Sequence, residues 1–438
     1  MKIALVHSRQ DPGGKTIRRG IDRLLSSSGR SRFSLEEHDL SFHETDGRLI
    51  EQDGLDRSIA ADLIIFLSRH TSLDPVPVLT THVTGNIGKA DLGGRPGSVA
   101  VAAPAWMHTV LRGLTRHAPP GYRVSYEVTH HGPSELSTPS LFVEIGSTEK
   151  EWADEQAGEA VARAVLEASL QDTIPVVGIG GTHYARRQTE IALQSRAAFG
   201  HIVHSRDAGL VDTGMLRLLA GKSGARAVYI DRKALTPQET SRILAAIREA
   251  GLLRLSETEL INLQRLSLDS WELIMRLARE IDPGAEVAVS GLLGEGIFRV
   301  LQFPQDLLKE AIRAGAGALK EGLEKIPVAY LSSPGLPVMP VFITIEEKSP
   351  EVLNDLISLC VTLISRGENT AIEGDSLVIR RSKFDPSKAR RLGVPEGPLF
   401  GELMRGRTLT IDGRDITPDM VCSSEIVRIR IPGMEKKI

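Results

Sequence analysis

Two short stretches bring histidine together with hydroxyl groups and glycine turns: Thr129-His130-His131-Gly132-Pro133 and Gly180-Gly181-Thr182-His183-Tyr184. Histidine exchanges protons near neutral pH and binds zinc-like metals, so these stretches suit acid–base work or a metal centre. All 12 histidines lie between His7 and His204, and none follows. That asymmetry is the pattern of a catalytic domain with an appendage, or of scattered surface histidines. A third stretch, Thr80-Thr81-His82-Val83-Thr84-Gly85-Asn86, sets a histidine among hydroxyls and an amide. In Leu141-Phe142-Val143-Glu144-Ile145-Gly146 a lone carboxylate stands inside an apolar run. A buried acid needs a partner, so Glu144 is either a site carboxylate or an edge residue facing water.

These residues need elements to hold them. Apolar runs at 3–6, 62–67, 98–103, 141–145, 174–179 and 226–230 read as strands, several apolar on both faces. Helical patterns at Glu151–Leu170, Gln188–Phe199 and Pro237–Ala250 alternate with them, the last opened by a Thr236-Pro237-Gln238-Glu239 start. Such alternation predicts a three-layer αβα domain with a mostly parallel, mixed sheet. His183 then follows the strand ending at Ile179, at the rim where open α/β sheets bind ligands. The glycines there let a ligand approach the backbone, and free N–H groups could polarise a carbonyl or hold a phosphate. A tight turn with an exposed histidine fits the same residues. His130 and His131 follow the strand-like Tyr122–Val128. Neighbouring side chains at a strand end point apart, so one of the two is expected at a site and the other in a structural role.

We expect a catalytic domain at 1–270, a helical connection at 271–326 and a small β-rich α+β unit at 327–438, where short β runs alternate with Pro and Gly turns. Cys360 and Cys422 are the only cysteines, so neither a disulfide framework nor a cysteine metal site is available. Any transition metal must be held by His, Asp and Glu. The net charge is −3, unlike a strongly basic nucleic-acid binder. Locally, Arg186, Arg187, Arg196 and Arg206 face only Glu190, and Arg380–Arg391 is similarly basic; both read first as solvated faces. No apolar run approaches the roughly 20 residues of a membrane helix, and the N-terminus shows no signal-peptide pattern, so a cytoplasmic protein is expected. Asp11-Pro12-Gly13-Gly14-Lys15-Thr16 resembles a P-loop, but Arg9 stands where its first glycine belongs. Zinc-protease HExxH and Gly-x-Ser-x-Gly motifs are lacking.

Taken in order, these stretches resemble the D-aminoacyl-tRNA deacylases of archaeal and plant type. The resemblance runs through Ser8–Asp11, Thr81–Asn86, Thr129–Pro133, Phe142–Ser147, Trp152, Gly178–Tyr184, Gln188–Ala192 and Phe199–Ile202, over roughly residues 1–270. Arg186 departs from it, since the family generally has proline there. The resemblance implies zinc-dependent hydrolysis of the ester joining a D-amino acid to the 3′ end of tRNA. It also implies a fold similar to peptidyl-tRNA hydrolase and nucleoside phosphorylases. On it, His130, His131, His183 and Glu144 become the catalytic or metal-binding set. His82, Thr84, Asn86, Gly180, Gly181, Thr182, Tyr184, Arg186 and Arg187 become substrate contacts, with N–H groups after Ile179 for the oxyanion. A monomer acting on tRNA, without membrane or protein partner, is expected. A peptidyl-tRNA hydrolase, a nucleoside phosphorylase and a non-enzymatic tRNA-binding module are the rival readings. Phe384–Gly401 resembles a segment near the end of ribonuclease Z, without that enzyme's metal-binding histidines.

Overall fold

The computed structural model describes residues 1–27, 33–72, 75–263, 265–367 and 369–432. The chain divides into two compact units, Met1–Gln264 and Arg265–Ile438.

In the first unit, six strands form a mixed sheet: β1 (Lys2–Ser8), β2 (Asp39–Thr45), β3 (Leu63–Arg69), β4 (Val78–His82), β5 (Arg123–Tyr126) and β6 (Ser140–Gly146). Their order is β2-β1-β3-β6-β4-β5. The first four run parallel, and β4 turns antiparallel against β6. Residues Ile3–Val6 and Leu63–Leu67 are fully buried, as strands covered on both faces must be. A second, parallel sheet has the order β8-β7-β9-β10: β7 (Ile174–Ile179), β8 (Ala197–Val203), β9 (Ala227–Ile230) and β10 (Leu253–Arg254). The alternation read from the sequence is therefore divided between two sheets of one α/β unit.

The chain crosses from one sheet to the other just beyond β5. Glu127 donates its N–H to Thr81 in the first sheet, while Val128 and Thr129 donate to His183 and Ile202 beside the second. This seam brings the ends of β3, β4, β5 and β7 together.

Local chemistry explains several elements. Helix α1 (Pro12–Ser27) follows β1. The Asp11 carboxylate accepts from the Gly14 N–H at 2.8 Å, and a Cβ on Gly14 would run into the Leu67 carbonyl. The glycine pair thus serves close helix–sheet packing. The expected helix 151–170 is interrupted: Glu149–Trp152 is a short turn, and Asp154 caps a separate helix, Glu155–Leu166. The expected Gln188–Phe199 helix ends at Gln194, because Ser195 is extended and Ala197–Phe199 belong to β8. The run 98–103 pairs as a strand only at Ser98–Val99. Helix Pro237–Ala250 carries the expected Thr236/Glu239 capping box and ends at left-handed Gly251.

The second unit is built from antiparallel sheets. Glu286–Val289 and Phe298–Gln302, which lie in the expected helical connection, pair with Ala329–Ser332 and Val341–Ile345. Helices Gln305–Leu323 and Ser349–Ile364 supply much of its core. The basic run Arg380–Arg391 forms the end of strand Ser376–Phe384 and the short helix Pro386–Arg391. No described helix is long and apolar enough to cross a membrane.

Candidate active site

Five histidines and two glutamates meet at the seam. His70 follows β3 and His82 ends β4. In the antiparallel register, His82 opposes Phe142 and Thr80 opposes Glu144. The two-residue period of β6 then turns Phe142 and Glu144 to the same face as His82. Glu127 stands where the chain leaves β5, His130 and His131 follow it, and His183 comes from the turn after β7. The His70 Nδ1 lies 3.0 Å from Glu127 Oε1 and 3.6 Å from Glu144 Oε2. On the other Glu127 oxygen, His183 Nε2 lies at 3.0 Å and His130 Nε2 at 3.4 Å. His82 Nε2 is 3.6 Å from Glu144 Oε2. Tyr184 closes the ring of contacts, its hydroxyl 3.1 Å from His70 Nε2.

The main chain orients three of the rings. His82, His130 and His131 each place Nδ1 on a main-chain carbonyl, those of Val83, Val128 and Gly132, at 3.2, 2.8 and 2.7 Å. With Nδ1 donating, the neutral rings of His130 and His131 present an Nε2 lone pair, and, against burial, Glu144 and Glu127 favour a proton, or a cation in its place, at His82 Nε2. A ring held through Nδ1 is the usual arrangement of histidines that bind metals. The Nε2 of His82 and both carboxylate oxygens of Glu127 are buried without a hydrogen bond in good geometry. Unsatisfied acceptors at such close range need a cation or protons between them. Three groups lie close enough to share an ion: His82/His130/His131, His70/Glu127/His183 and His82/Glu127/Glu144.

The electrostatics say the same. Burial works against charge on Glu127 and Glu144, but the neighbouring imidazoles outweigh it. Glu127 is held well below the usual carboxylate range by His70 and His183, and Glu144 is brought to about 2 by His70 and His82. His70 responds in kind: burial opposes its charge, yet Glu127 and Glu144 raise it to about 11. His130 and His131 go the other way. Burial and the surrounding histidines push His130 far down and His131 to about 4, so both rings stay neutral.

The cluster opens into a cavity of about 510 Å³, whose walls include Gln10, Arg48, Leu49, Ile50, Arg69 and Leu92. The structure brings His82, His130, His131, His183 and Glu144 together, as well as Tyr184. The expectation that His130 and His131 point apart is corrected. Their ring centroids are 4.3 Å apart, because His131 takes a left-handed φ of 45° and the strand geometry has ended. The N–H groups expected in the turn after Ile179 are only partly free. The N–H groups of Gly180 and Gly181 are taken by Val203 O and Ser205 Oγ, both at 2.9 Å. Thr182 and His183, next in the turn, have main-chain N–H groups with no acceptor among the described residues.

Thr84 and Asn86 face loop carbonyls, those of Pro133 and Gly93, and hold the walls of the site. Thr182 is exposed, with its hydroxyl on the Tyr184 carbonyl. Arg186 and Arg187 share Glu190, and Arg187 also pairs with Glu257. The sequence reading missed His70 and Glu127. Both lie just past a strand end: His70 two residues beyond the apolar run Leu63–Leu67 and its Ser68, and Glu127 directly after Tyr126.

An α/β unit with a histidine–carboxylate centre at its strand ends, open to a cavity of small-molecule size, defines the class. Known proteins fix the family. Residues 57–254 match the family model described as D-aminoacyl-tRNA deacylase. A D-aminoacyl-tRNA deacylase of Methanoculleus marisnigri is 50% identical over 100% of both chains. One of Methanoregula boonei is 48% identical over 99% of each. One of Methanosarcina mazei is 40% identical over 59% of this chain and 93% of its own. A crystal structure titled as a conserved protein of unknown function is 35% identical, covers 61% of this chain and 99% of its own, and superposes with a TM-score of 0.55. The chain belongs to the D-aminoacyl-tRNA deacylase family.

Proposed function

We propose that this chain hydrolyses the ester between a D-amino acid and the 3′ end of tRNA, releasing free D-amino acid and reusable tRNA. Family membership supports the substrate. The observation that carries the chemistry is the gathering of five histidines and two buried carboxylates beside an open cavity.

The donor set fits a metal. His82, His130 and His131 would hold one ion, with Glu127 and Glu144 at its edge. Nitrogen-rich, cysteine-free ligation of this kind suits zinc. When bound, such a cation supplies Lewis acidity and a lowered pKa for water.

The chain's own residues do the rest. Glu127 and Glu144 accept hydrogen bonds from water and orient it for attack on the ester carbonyl carbon. The free amides of Thr182 and His183, in the turn that carries the His183 side chain, would hold the carbonyl oxygen as it gains charge. The His183 side chain is 38% exposed and is the imidazole a substrate can reach, so it is the group to return a proton to the departing 3′ oxygen. A C–O bond forms from water, the ester C–O bond breaks, and the proton travels to the leaving oxygen. Tyr184 positions His70. Thr84 and Asn86 hold the loop behind the site.

We place the enzyme in the cytoplasm, where aminoacyl-tRNA is consumed. We propose that it acts as a single chain.

Release of labelled amino acid from D-Tyr-tRNA and L-Tyr-tRNA tests this, with and without chelation and zinc add-back. Hydrolysis of the D ester alone, lost on chelation and restored by zinc, is expected. D-specific hydrolysis that survives thorough chelation would refute the metal. Turnover only of N-acetylated esters would indicate a peptidyl-tRNA hydrolase instead.

A further inference from the structure

A second cavity, of about 520 Å³, adjoins the catalytic one, and Arg69 lines both. It lies between α1 and the Glu149–Trp152 turn. Its floor is the half-buried indole of Trp152, whose Nε1 donates to the His70 carbonyl at 2.8 Å. That bond fixes the ring beside the catalytic histidines. The Arg69 guanidinium stands over the indole, 4.9 Å from the ring centroid, so the two form a cation–aromatic stack in the wall of the cleft. Lys15 and Arg69 are exposed and have no carboxylate partner among the described residues, whereas Arg19 is committed to Glu155. Arg186 and Arg187, beside His183, are each neutralised by carboxylates. The cations of this cleft left available to an anion are therefore Lys15 and Arg69. The α1 N-terminus itself is not an anion site, because Asp11 already caps it.

An aromatic platform with free cations, joined to a catalytic pocket, has the chemistry that holds single-stranded nucleic acid. We propose that this cleft holds the unpaired 3′ end of the RNA substrate, with a base against the Arg69–Trp152 stack and backbone phosphates on Arg69 and Lys15. The assignment rests on the deacylase reading for its ligand. Glu149 is the carboxylate among the residues lining the cleft. Its charge opposes a phosphate and tunes the affinity downward.

The test uses the full chain and two readouts. The first is binding of the trinucleotide CCA, followed by tryptophan fluorescence across a salt series. The second is kcat and KM on D-Tyr-tRNA beside D-tyrosine ethyl ester, which has no nucleotide. Lys15→Ala and Arg69→Ala should each weaken trinucleotide binding about tenfold and lower the salt slope by about 0.7, as one phosphate contact is lost. On tRNA the change should fall on KM, and for Lys15→Ala, which lies outside the catalytic cavity, neither constant should move on the ethyl ester. Arg69→Lys should recover most of the affinity, and Glu149→Gln should tighten binding. Unchanged binding in the Lys15→Ala/Arg69→Ala double variant, with D-Tyr-tRNA still hydrolysed, overturns the cleft and leaves the deacylase reading standing. Charge-dependent binding without hydrolysis of any D ester supports the cleft and overturns the deacylase reading.

Discussion

His70 holds its Nδ1 3.0 Å from Glu127 Oε1 and its Nε2 3.1 Å from the Tyr184 hydroxyl. The ring thus ties the carboxylate at the sheet seam to the turn that carries His183. Glu127 is 1% exposed and has imidazole nitrogens close to both oxygens. Removing its charge while keeping its shape should disable the centre without unfolding it. Glu127→Gln should lower kcat on D-Tyr-tRNA by about a thousandfold or more and lower the bound-metal stoichiometry, with an unchanged circular dichroism spectrum. Full turnover or full metal content in that variant would remove Glu127 from the centre.

His183 is the histidine of the cluster most open to substrate, and its Nε2 rests on Glu127. His183→Ala should lower kcat by about 10²–10⁴-fold while tRNA binding persists, because the groups facing RNA phosphate lie elsewhere. Turnover and filter binding on the same preparation separate the two effects. Equal loss of both would assign His183 to substrate binding.

The deacylase of Methanosarcina mazei matches 59% of this chain with 93% of its own length. The histidine–glutamate centre also lies wholly within the first unit. A chain ending at Leu263 should therefore fold and hydrolyse D-Tyr-tRNA with a kcat within about threefold of the full chain. Comparison of the two at equal concentration checks this. A folded but inactive fragment would show that the second unit contributes to catalysis.

The sequence displays some of this site and hides the rest for identifiable reasons. His82, His130, His131 and His183 stand in glycine- and hydroxyl-rich turns, where hydrophobic periodicity breaks, and Glu144 breaks an apolar run. Those are local signals, and they lead to residues that the fold brings together. His70 follows Arg69 and has no second histidine or glycine turn beside it, and Glu127 was treated as the lead-in to a histidine pair. Both become central only through pairing between strands that are distant in sequence. The division of the strands into two sheets is hidden likewise, since a buried parallel strand reads the same in either sheet. The apposition of His130 and His131 depends on a left-handed φ at a non-glycine residue, which few sequences announce. Helix Pro237–Ala250, by contrast, is legible throughout, because its cap, first-turn proline and terminal glycine are all local chemistry.

His201 supports the catalytic loop from behind and should make the fold acid-sensitive. It is fully buried. Its Nε2–H donates to the Ala100 carbonyl at 3.0 Å, and its Nδ1 accepts from Thr129 Oγ1 at 3.1 Å. Thr129 Oγ1 in turn accepts the Ile202 N–H, which locks the residue preceding His130. The neutral ring satisfies both partners, and burial brings its pKa down to about 4. An unfolded histidine titrates near 6.5, so between pH 6.5 and 4 the unfolded chain binds a proton that the native chain does not. The resulting stability is complete above pH 6.5 and is lost as the pH falls toward 4. Between about pH 7.5 and 5.0 this one group should cost about 2 kcal/mol. His201→Gln keeps a donor and an acceptor but cannot titrate. Urea unfolding of chelated protein at both pH values should show the wild type losing about 2 kcal/mol more than the variant. Equal losses would mean that His201 is charged, or reached by water, in the native protein.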